Sequence, residues 1–385
     1  MTPARRSDAN DNVPLSMASR FFSPTLGGRI GVTAAGLAGA LLMAAVFLGG
    51  TGKTAGTMPA QRNGLKSARA GSTFTNPVVT AQAAPDPSVV YHDGWYYLTA
   101  TLTPSEGLWV WRSRTLTDWS DATKKKVWDA PESGPMSRQL WAPELQRLRG
   151  RWYLYFTASD GEDDHHRHYA LASDAPMGPY ENKGRVDESV DRYAIDGAVL
   201  RAPSGQLFWM YTTYEKLGLV PMENPATVDS TARRITLAEP TEPWERGWIE
   251  APEPLVHEGN LFVVYSAGHS ATPHYVLGRL THTGGPVADP ASWEKHPRPV
   301  FAPYVGAEGA VYTTGHNSFT TSPDGSESWL VYHGKSWSDP QQRGFSGRMA
   351  RAQRFTWRPD GTPDFGHPVP GGVPLVVPSG SSRTD

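Results

Sequence analysis

The sequence predicts an all-β fold, a five-bladed β-propeller, preceded by an N-terminal apolar signal or anchor segment. Three observations carry this. One pattern recurs five times: a short apolar strand, a Gly-centred turn, then a second strand rich in aromatics. The repeats lie about 50 to 65 residues apart, and strand-only repeats of roughly that period stack as propeller blades. The chain of 385 residues holds 14 Trp and 15 Tyr, which suit strands because aromatics pack well on a pleated face. Its 39 Gly and 34 Pro supply many turns, and nothing beyond the N-terminus has helical periodicity.

Residues 1–29 form a basic cytoplasmic n-region carrying Arg5, Arg6, Arg20 and Arg29. Residues 30–50, IGVTAAGLAGALLMAAVFLGG, are uncharged and long enough to span a bilayer as a helix. The arginines before them would keep that side cytoplasmic and send the rest outward. The segment reads as a signal peptide or as a transmembrane anchor, so the chain is expected outside the cell or at its surface. Residues 51–70 are small, polar and basic, the composition of a flexible linker. The propeller is expected over 71–377.

Blade one starts at NPVVTAQAAPDPSVVYHDGWYYLTATLT, with an Asp93-Gly94 hairpin turn, and continues into GLWVWRSRTLTDW. Blade two is APELQRLRGRWYLYFTAS, then HYALASD. Blade three is AIDGAVL, QLFWMYTTY and RRITLAEP. Blade four is EAPEPLVHE, NLFVVYSAG and HYVLGRL. Blade five is GHNSFTTS, SWLVYHGK and GRMARAQRFTW. VPLVV, near the C-terminus, is expected to close against the first blade as an added strand, and 378–385 to be a disordered tail.

Composition excludes several classes. With no cysteine, neither a disulfide framework nor a thiolate metal site can form. Residues 1–70 carry eight Lys/Arg against two Asp while the whole chain stands at −2, so the globular part is acidic. Nucleic acid needs a positive face and is not an expected partner.

Asp86, Glu144, Asp196, Glu250 and His316 each stand just ahead of one repeat. Equivalent positions in a propeller face one axis, so the five should converge on one pocket. Singly they read as ordinary. Asp86 before Pro87 and Asp196 before Gly197 have the form of turn residues. Glu144 could brace a pocket wall, and His316 could be an interior histidine. Five unrelated surface charges would rarely share one phase. Two carboxylates across a pocket can cleave a glycosidic bond, one ionised to activate water and one protonated for the leaving oxygen. A third beside the acid raises its pKa by like-charge repulsion. Asp86, Asp196 and Glu250 are the candidates. The cluster Asp163-Asp164-His165-His166-Arg167-His168 lacks a helical metal-ligand frame and reads as a solvated loop with one histidine reaching the pocket.

At these residues the chain resembles glycoside hydrolase family 43, five-bladed propeller enzymes acting on arabinose- and xylose-containing polysaccharides. The resemblance runs from Asn76 to about Pro368. It rests on Asp86-Pro87-Ser88-Val89, Trp141-Ala142-Pro143-Glu144-Leu145, Ser173-Asp174-Ala175-Pro176-Met177-Gly178-Pro179, Ile195-Asp196-Gly197, Glu250-Ala251-Pro252, and Gly315-His316-Asn317-Ser318-Phe319 followed by Tyr332-His333-Gly334. Two positions depart from the family pattern: Glu250-Ala251-Pro252 replaces its Glu-Gly-Pro, and Thr313-Thr314 stands where relatives carry Gly-Pro.

The resemblance implies an inverting hydrolase, with Asp86 as general base, Asp196 tuning and orienting the acid, and Glu250 as general acid. It implies substrate contacts from Trp141, a pocket wall, and from Glu144, His316 and Arg348. No cofactor is required; a structural calcium or other ion on the propeller axis, near His316, is the one option it leaves. Asp289-Pro290-Ala291-Ser292-Trp293-Glu294-Lys295 with Pro299-Val300-Phe301, and His316-Asn317-Ser318-Phe319, look most like the exo-α-L-arabinofuranosidase branch. The expected partner is therefore an arabinose- or xylose-containing polysaccharide or oligosaccharide, met by a monomer that touches membrane only through its N-terminal segment. A β-xylosidase, an endo-arabinanase and a non-catalytic carbohydrate-binding propeller are the alternatives.

Overall fold

Five antiparallel sheets follow one another along the chain, each starting with a strand at a shared axis. The computed structural model describes residues 72–189, 191–336 and 344–381. The expected n-region, apolar segment and linker lie outside the described residues, as do residues 382–385 of the expected tail.

Blade one consists of Ser88–His92, Trp95–Thr99, Gly107–Ser113 and Thr123–Asp129; blade two of Arg138–Leu148, Arg151–Ser159, Arg167–Ser173 and Glu181–Arg185. Blade three has Ile195–Arg201, Leu207–Thr213 and Lys216–Asn224, with Ile235–Ala238 as its outer strand. Blade four has Ile249–His257, Asn260–Ala267, Val276–His282 and Trp293–Lys295. Blade five has Gly309–Thr321, Ser328–Lys335 and Met349–Trp357, with short flanking strands Tyr304–Gly306 and Pro363–Asp364. The first strand of each blade packs against the first strands of its two neighbours, which closes the circle. The only helical pieces among the described residues are three 3₁₀ turns.

The core is divided into five wedges, one between each pair of blades. Tyr97 and Val110 meet Leu145 and Leu154 between blades one and two; Tyr155 meets Trp209 between two and three. Met210 and Leu219 meet Leu261 and Val263 next, Val264 meets Leu330 and Tyr332 after that, and Val331 meets Leu98 and Trp111 at the closure. Blade sheets are therefore buried on both faces. This is why Leu207–Thr213 and Arg151–Ser159 read as nearly continuous apolar and aromatic runs rather than strict alternation.

Ring closure differs from expectation. Leu375–Val376 pairs with Thr73–Phe74 as a separate two-stranded ladder, not with a strand of blade one. The circle is closed instead by residues 76–84, which run beside Met349–Trp357 of blade five. Asn76 exchanges two side-chain hydrogen bonds with the backbone of Ala352, 2.9 and 3.0 Å, while the Val78 N–H donates to Ala350 O and the Ala84 N–H to Arg348 O. Within the tail expected to be disordered, Ser379 is fixed: its N–H donates to Glu327 Oε2 at 3.0 Å.

Candidate active site

One local device recurs in every blade and sets the site. Asp86 (φ 56°), Ala142 (44°), Asp196 (53°), Ala251 (53°) and His316 (47°) all adopt the left-handed backbone region. In blades two to five the ladder skips at this point, from Trp141 to Glu144, Ile195 to Ala198, Glu250 to Glu253 and Gly315 to Ser318. Such bulges bend the strand and re-aim side chains. The displaced N–H must find another acceptor, and the preceding blade supplies it each time. Asp86 N–H donates to His333 Nδ1 (3.1 Å), Ala142 N–H to Thr101 Oγ1 (2.8 Å), Asp196 N–H to Thr157 Oγ1 (3.2 Å), Ala251 N–H to Thr212 Oγ1 (3.1 Å) and His316 N–H to Ser266 Oγ (2.8 Å).

The five ionisable residues do not all share one phase. Asp86, Asp196 and His316 occupy the left-handed position, but Glu250 stands one residue before it and Glu144 two residues after. A bulge lets neighbouring positions point toward the same axis, so the convergence survives the difference in phase. Two glycines allow the close packing. A Cβ on Gly197 would lie 2.0 Å from the Trp209 ring, and one on Gly315 2.3 Å from the Tyr275 ring.

Asp86 is buried among Arg348, Thr101 and two histidines. Its Oδ1 lies 3.0 Å from Arg348 Nη1 and 3.3 Å from Nδ1 of both His316 and His333, and Oδ2 accepts from Thr101 Oγ1 at 2.8 Å. Burial opposes its ionisation, but the Arg348 guanidinium, with His316 beside it, holds the carboxyl well below the usual range. His333 is pushed down to about 3 by burial. Since the Asp86 amide can only donate, His333 Nδ1 is its acceptor, and the ring is the neutral Nε2–H tautomer. Asp86 is thus a carboxylate at neutral pH.

Asp196 and Glu250 form the opposite kind of environment. Asp196 is raised well above the carboxylate range by burial and then by the negative charges of Glu250 and Asp86. Asp196 therefore keeps its proton at a pH where an ordinary carboxyl has lost it. Glu250 is fixed at both oxygens: Trp248 Nε1–H donates to Oε2 at 2.5 Å and the Tyr275 hydroxyl to Oε1 at 2.7 Å. The approach to Trp248 is itself anchored, because the Trp248 N–H donates to Glu245 O, and the buried Glu245 carboxylate is paired with Lys295 at 2.8 Å.

Glu144 sits deeper on the axis, with Glu253. Both line a small cavity shared with Asp196, His316 and Asn317, and a larger one of about 240 Å³ further along, beside Ser88, Gln146 and Ser318. Burial pushes Glu144 up to about 8. Trp141 is half-buried and lies flat on His166, ring centroids 4.2 Å apart. The Asp163–His168 cluster splits accordingly: Asp163–His165 is a 3₁₀ turn with no buried residue, whereas His166 and His168 are buried.

These observations frame the comparisons with known proteins. A profile for Glycosyl hydrolases family 43 matches residues 74–363. The chain belongs to family 43. An extracellular exo-α-(1→5)-L-arabinofuranosidase of Streptomyces avermitilis is 35% identical over 322 residues, 79% of this chain and 65% of that protein. An α-L-arabinofuranosidase of Humicola insolens is 32% identical over 317 residues, 78% of this chain and 64% of that protein. The chain thus spans just under two thirds of the length of these relatives. The crystal structure of an α-L-arabinofuranosidase from Lactobacillus brevis superposes with a TM-score of 0.71 at 32% identity, covering 78% of this chain and 98% of that one.

Both departures from the family 43 pattern fall on left-handed residues, Ala251 at φ 53° and Thr313 at 56°. Glycine is comfortable there, while an L-residue costs about 1–2 kcal/mol; Thr313 offsets part of this with a 2.8 Å hydrogen bond from Oγ1 to Thr272 O. At the position of the axial calcium option, His316 turns Nδ1 to Asp86, and no group of three or more His, Cys, Asp or Glu able to hold a metal occurs among the described residues; an ion held there would take most of its six to eight oxygen ligands from water. Sequence reading passed over Thr101, Trp248, Tyr275 and the contact role of His333. His333 did stand in the Tyr332-His333-Gly334 motif; Thr101, Trp248 and Tyr275 carried no signal.

Proposed function

We propose that this family 43 protein is an inverting exo-α-L-arabinofuranosidase that acts outside the cell and releases terminal arabinofuranosyl residues from arabinose-containing polysaccharides and oligosaccharides. The single observation that carries the reading is the contrast between two buried carboxylate environments: Asp86 held ionised by Arg348, and Asp196 pushed upward beside Glu250. Separated environments of this kind are what acid–base cleavage of a glycoside needs. The names of the Streptomyces and Humicola relatives support the substrate class, and the former supports an extracellular location.

Asp86 takes a proton from a water as that water attacks the anomeric carbon. Arg348 and Thr101 hold the carboxylate in place. Glu250, oriented by Trp248 and Tyr275, delivers a proton to the departing oxygen, and the protonated Asp196 beside it is the source that replenishes it. Asp196 keeps that proton available near neutral pH. Trp141, His316 and Arg348 bound the sugar; Glu144 supports the floor of the site.

The test is leaving-group dependence. Asp86→Asn removes hydrolysis of every arabinofuranoside. Glu250→Ala slows natural oligosaccharides by about 100-fold or more, the usual range of acid catalysis, but spares aryl arabinofuranosides, whose leaving groups need little protonation. Equal losses on both substrates would remove Glu250 from the acid role. Proton NMR of the first-formed sugar should show the β-anomer; an initial α-anomer contradicts inversion.

A further inference from the structure

Tyr214 occupies a position that folding does not explain. It is the first residue of the two-residue turn between Leu207–Thr213 and Lys216–Asn224, where Thr213 pairs with Lys216. Its φ is 50°, and its side chain remains 49% exposed. Left-handed first positions in such turns favour glycine. A bulky L-residue there costs about 1–2 kcal/mol, and a half-exposed ring recovers little of that by burial. Local strain of this sort concentrates at functional sites.

The turn lies at the active end of blade three. Ile195, next to Asp196, pairs with Thr212, so the Leu207–Thr213 strand returns to the end of the blade from which Asp196 projects. Tyr214 is the outermost member of a line of rings leading from the pocket wall. Trp141 stacks on His166 at 4.2 Å, His166 meets Tyr193 edge-on at 5.7 Å, and Tyr193 stacks on Tyr214 at 5.5 Å with 24° between planes. Tyr193 is buried, and the Thr213 hydroxyl donates to its carbonyl at 2.9 Å. Its phenol is raised by burial and then by the charges of Asp196 and Glu250, which sets it beside the acid pair.

We propose that the exposed face of Tyr214, backed by Tyr193, is the platform for the sugar on the leaving-group side of the bond cleaved. The proposal rests on the arabinofuranosidase reading above. In inversion the leaving group departs opposite the attacking water. Asp86 activates that water from blade one, so the departing sugar passes Asp196 and Glu250 toward the rim of blades three and four, where Tyr214 stands. The apolar C–H face of a furanose suits an aromatic ring, and the rigid ring loses little entropy on contact.

The experiment compares wild type, Tyr214→Gly and Tyr214→Phe on α-1,5-linked arabinotriose and on methyl α-L-arabinofuranoside, whose leaving group is too small to reach the ring. Tyr214→Gly satisfies the backbone preference of the turn, so its melting temperature stays level or rises. Its kcat/KM on arabinotriose should fall about 5-fold, the size of one stacking contact, chiefly through KM, while the methyl glycoside is unaffected. Tyr214→Phe keeps the platform and should match wild type on both. Equal losses on both substrates, or an undiminished kcat/KM on arabinotriose, would overturn the platform. A wild-type protein that releases arabinose from neither substrate overturns the arabinofuranosidase reading, and the platform with it.

Discussion

Arg348 decides the protonation state of Asp86. Burial alone would raise that carboxyl, and the guanidinium 3.0 Å away reverses the sign. Arg348→Ala should therefore move the acidic limb of the kcat/KM–pH profile upward, by about one pH unit or more for a lost neighbouring charge. An acidic limb that stays in place while activity falls would make Arg348 a sugar contact only. Asp86 and Arg348 are 262 positions apart. The sequence marked both as candidates, yet nothing in their local context revealed that one fixes the charge of the other.

The left-handed residue at the head of each blade, with a bulge beside it in blades two to five, turns a repeat into a site. It places Asp86, Asp196 and His316 in one conformation and displaces Glu250 and Glu144 from it. Its stability depends on a side chain from the blade before. Thr212→Val keeps the shape of the side chain but leaves the Ala251 N–H without its 3.1 Å acceptor. A buried unsatisfied donor costs about 1–3 kcal/mol, so the urea midpoint should drop accordingly, and kcat should fall because Ala251 adjoins Glu250. Thr212→Ser keeps the hydroxyl and should restore both; a serine variant as impaired as the valine one would show that the methyl, not the hydrogen bond, matters. The strand pattern was legible because blade strands are long and aromatic. The bulge was not, because alanine at position 251 and threonine at 313 carry no sign of a left-handed backbone.

Across the whole molecule, the five wedges leave an axial passage lined by both Glu144 and Glu253. Glu144 is raised from an ordinary value of 4.5 to about 8, and Glu253 is raised by burial and by Glu144. Between those pH values the folded protein keeps a proton that the unfolded chain releases. Linkage then makes Glu144 lower stability as pH rises from about 4.5 to about 8. Glu144→Gln cannot ionise, so its melting temperature should fall less than that of wild type over this window and exceed it most clearly at pH 8. Parallel curves for the two proteins would mean that Glu144 titrates normally.

The order of strands, the five-fold repeat, the family and the set of carboxylates that meet at the axis were written in the sequence. Each rests on local pattern: aromatic strands, Gly-centred turns and short motifs of fixed order. Electrostatic pairing, the phase of Glu250 and Glu144, the closure through Asn76 and the ring ladder ending at Tyr214 came only from the folded chain. The reason is physical. Charge, burial and stacking depend on distance in space, and a propeller brings together residues from all five blades that share no stretch of sequence.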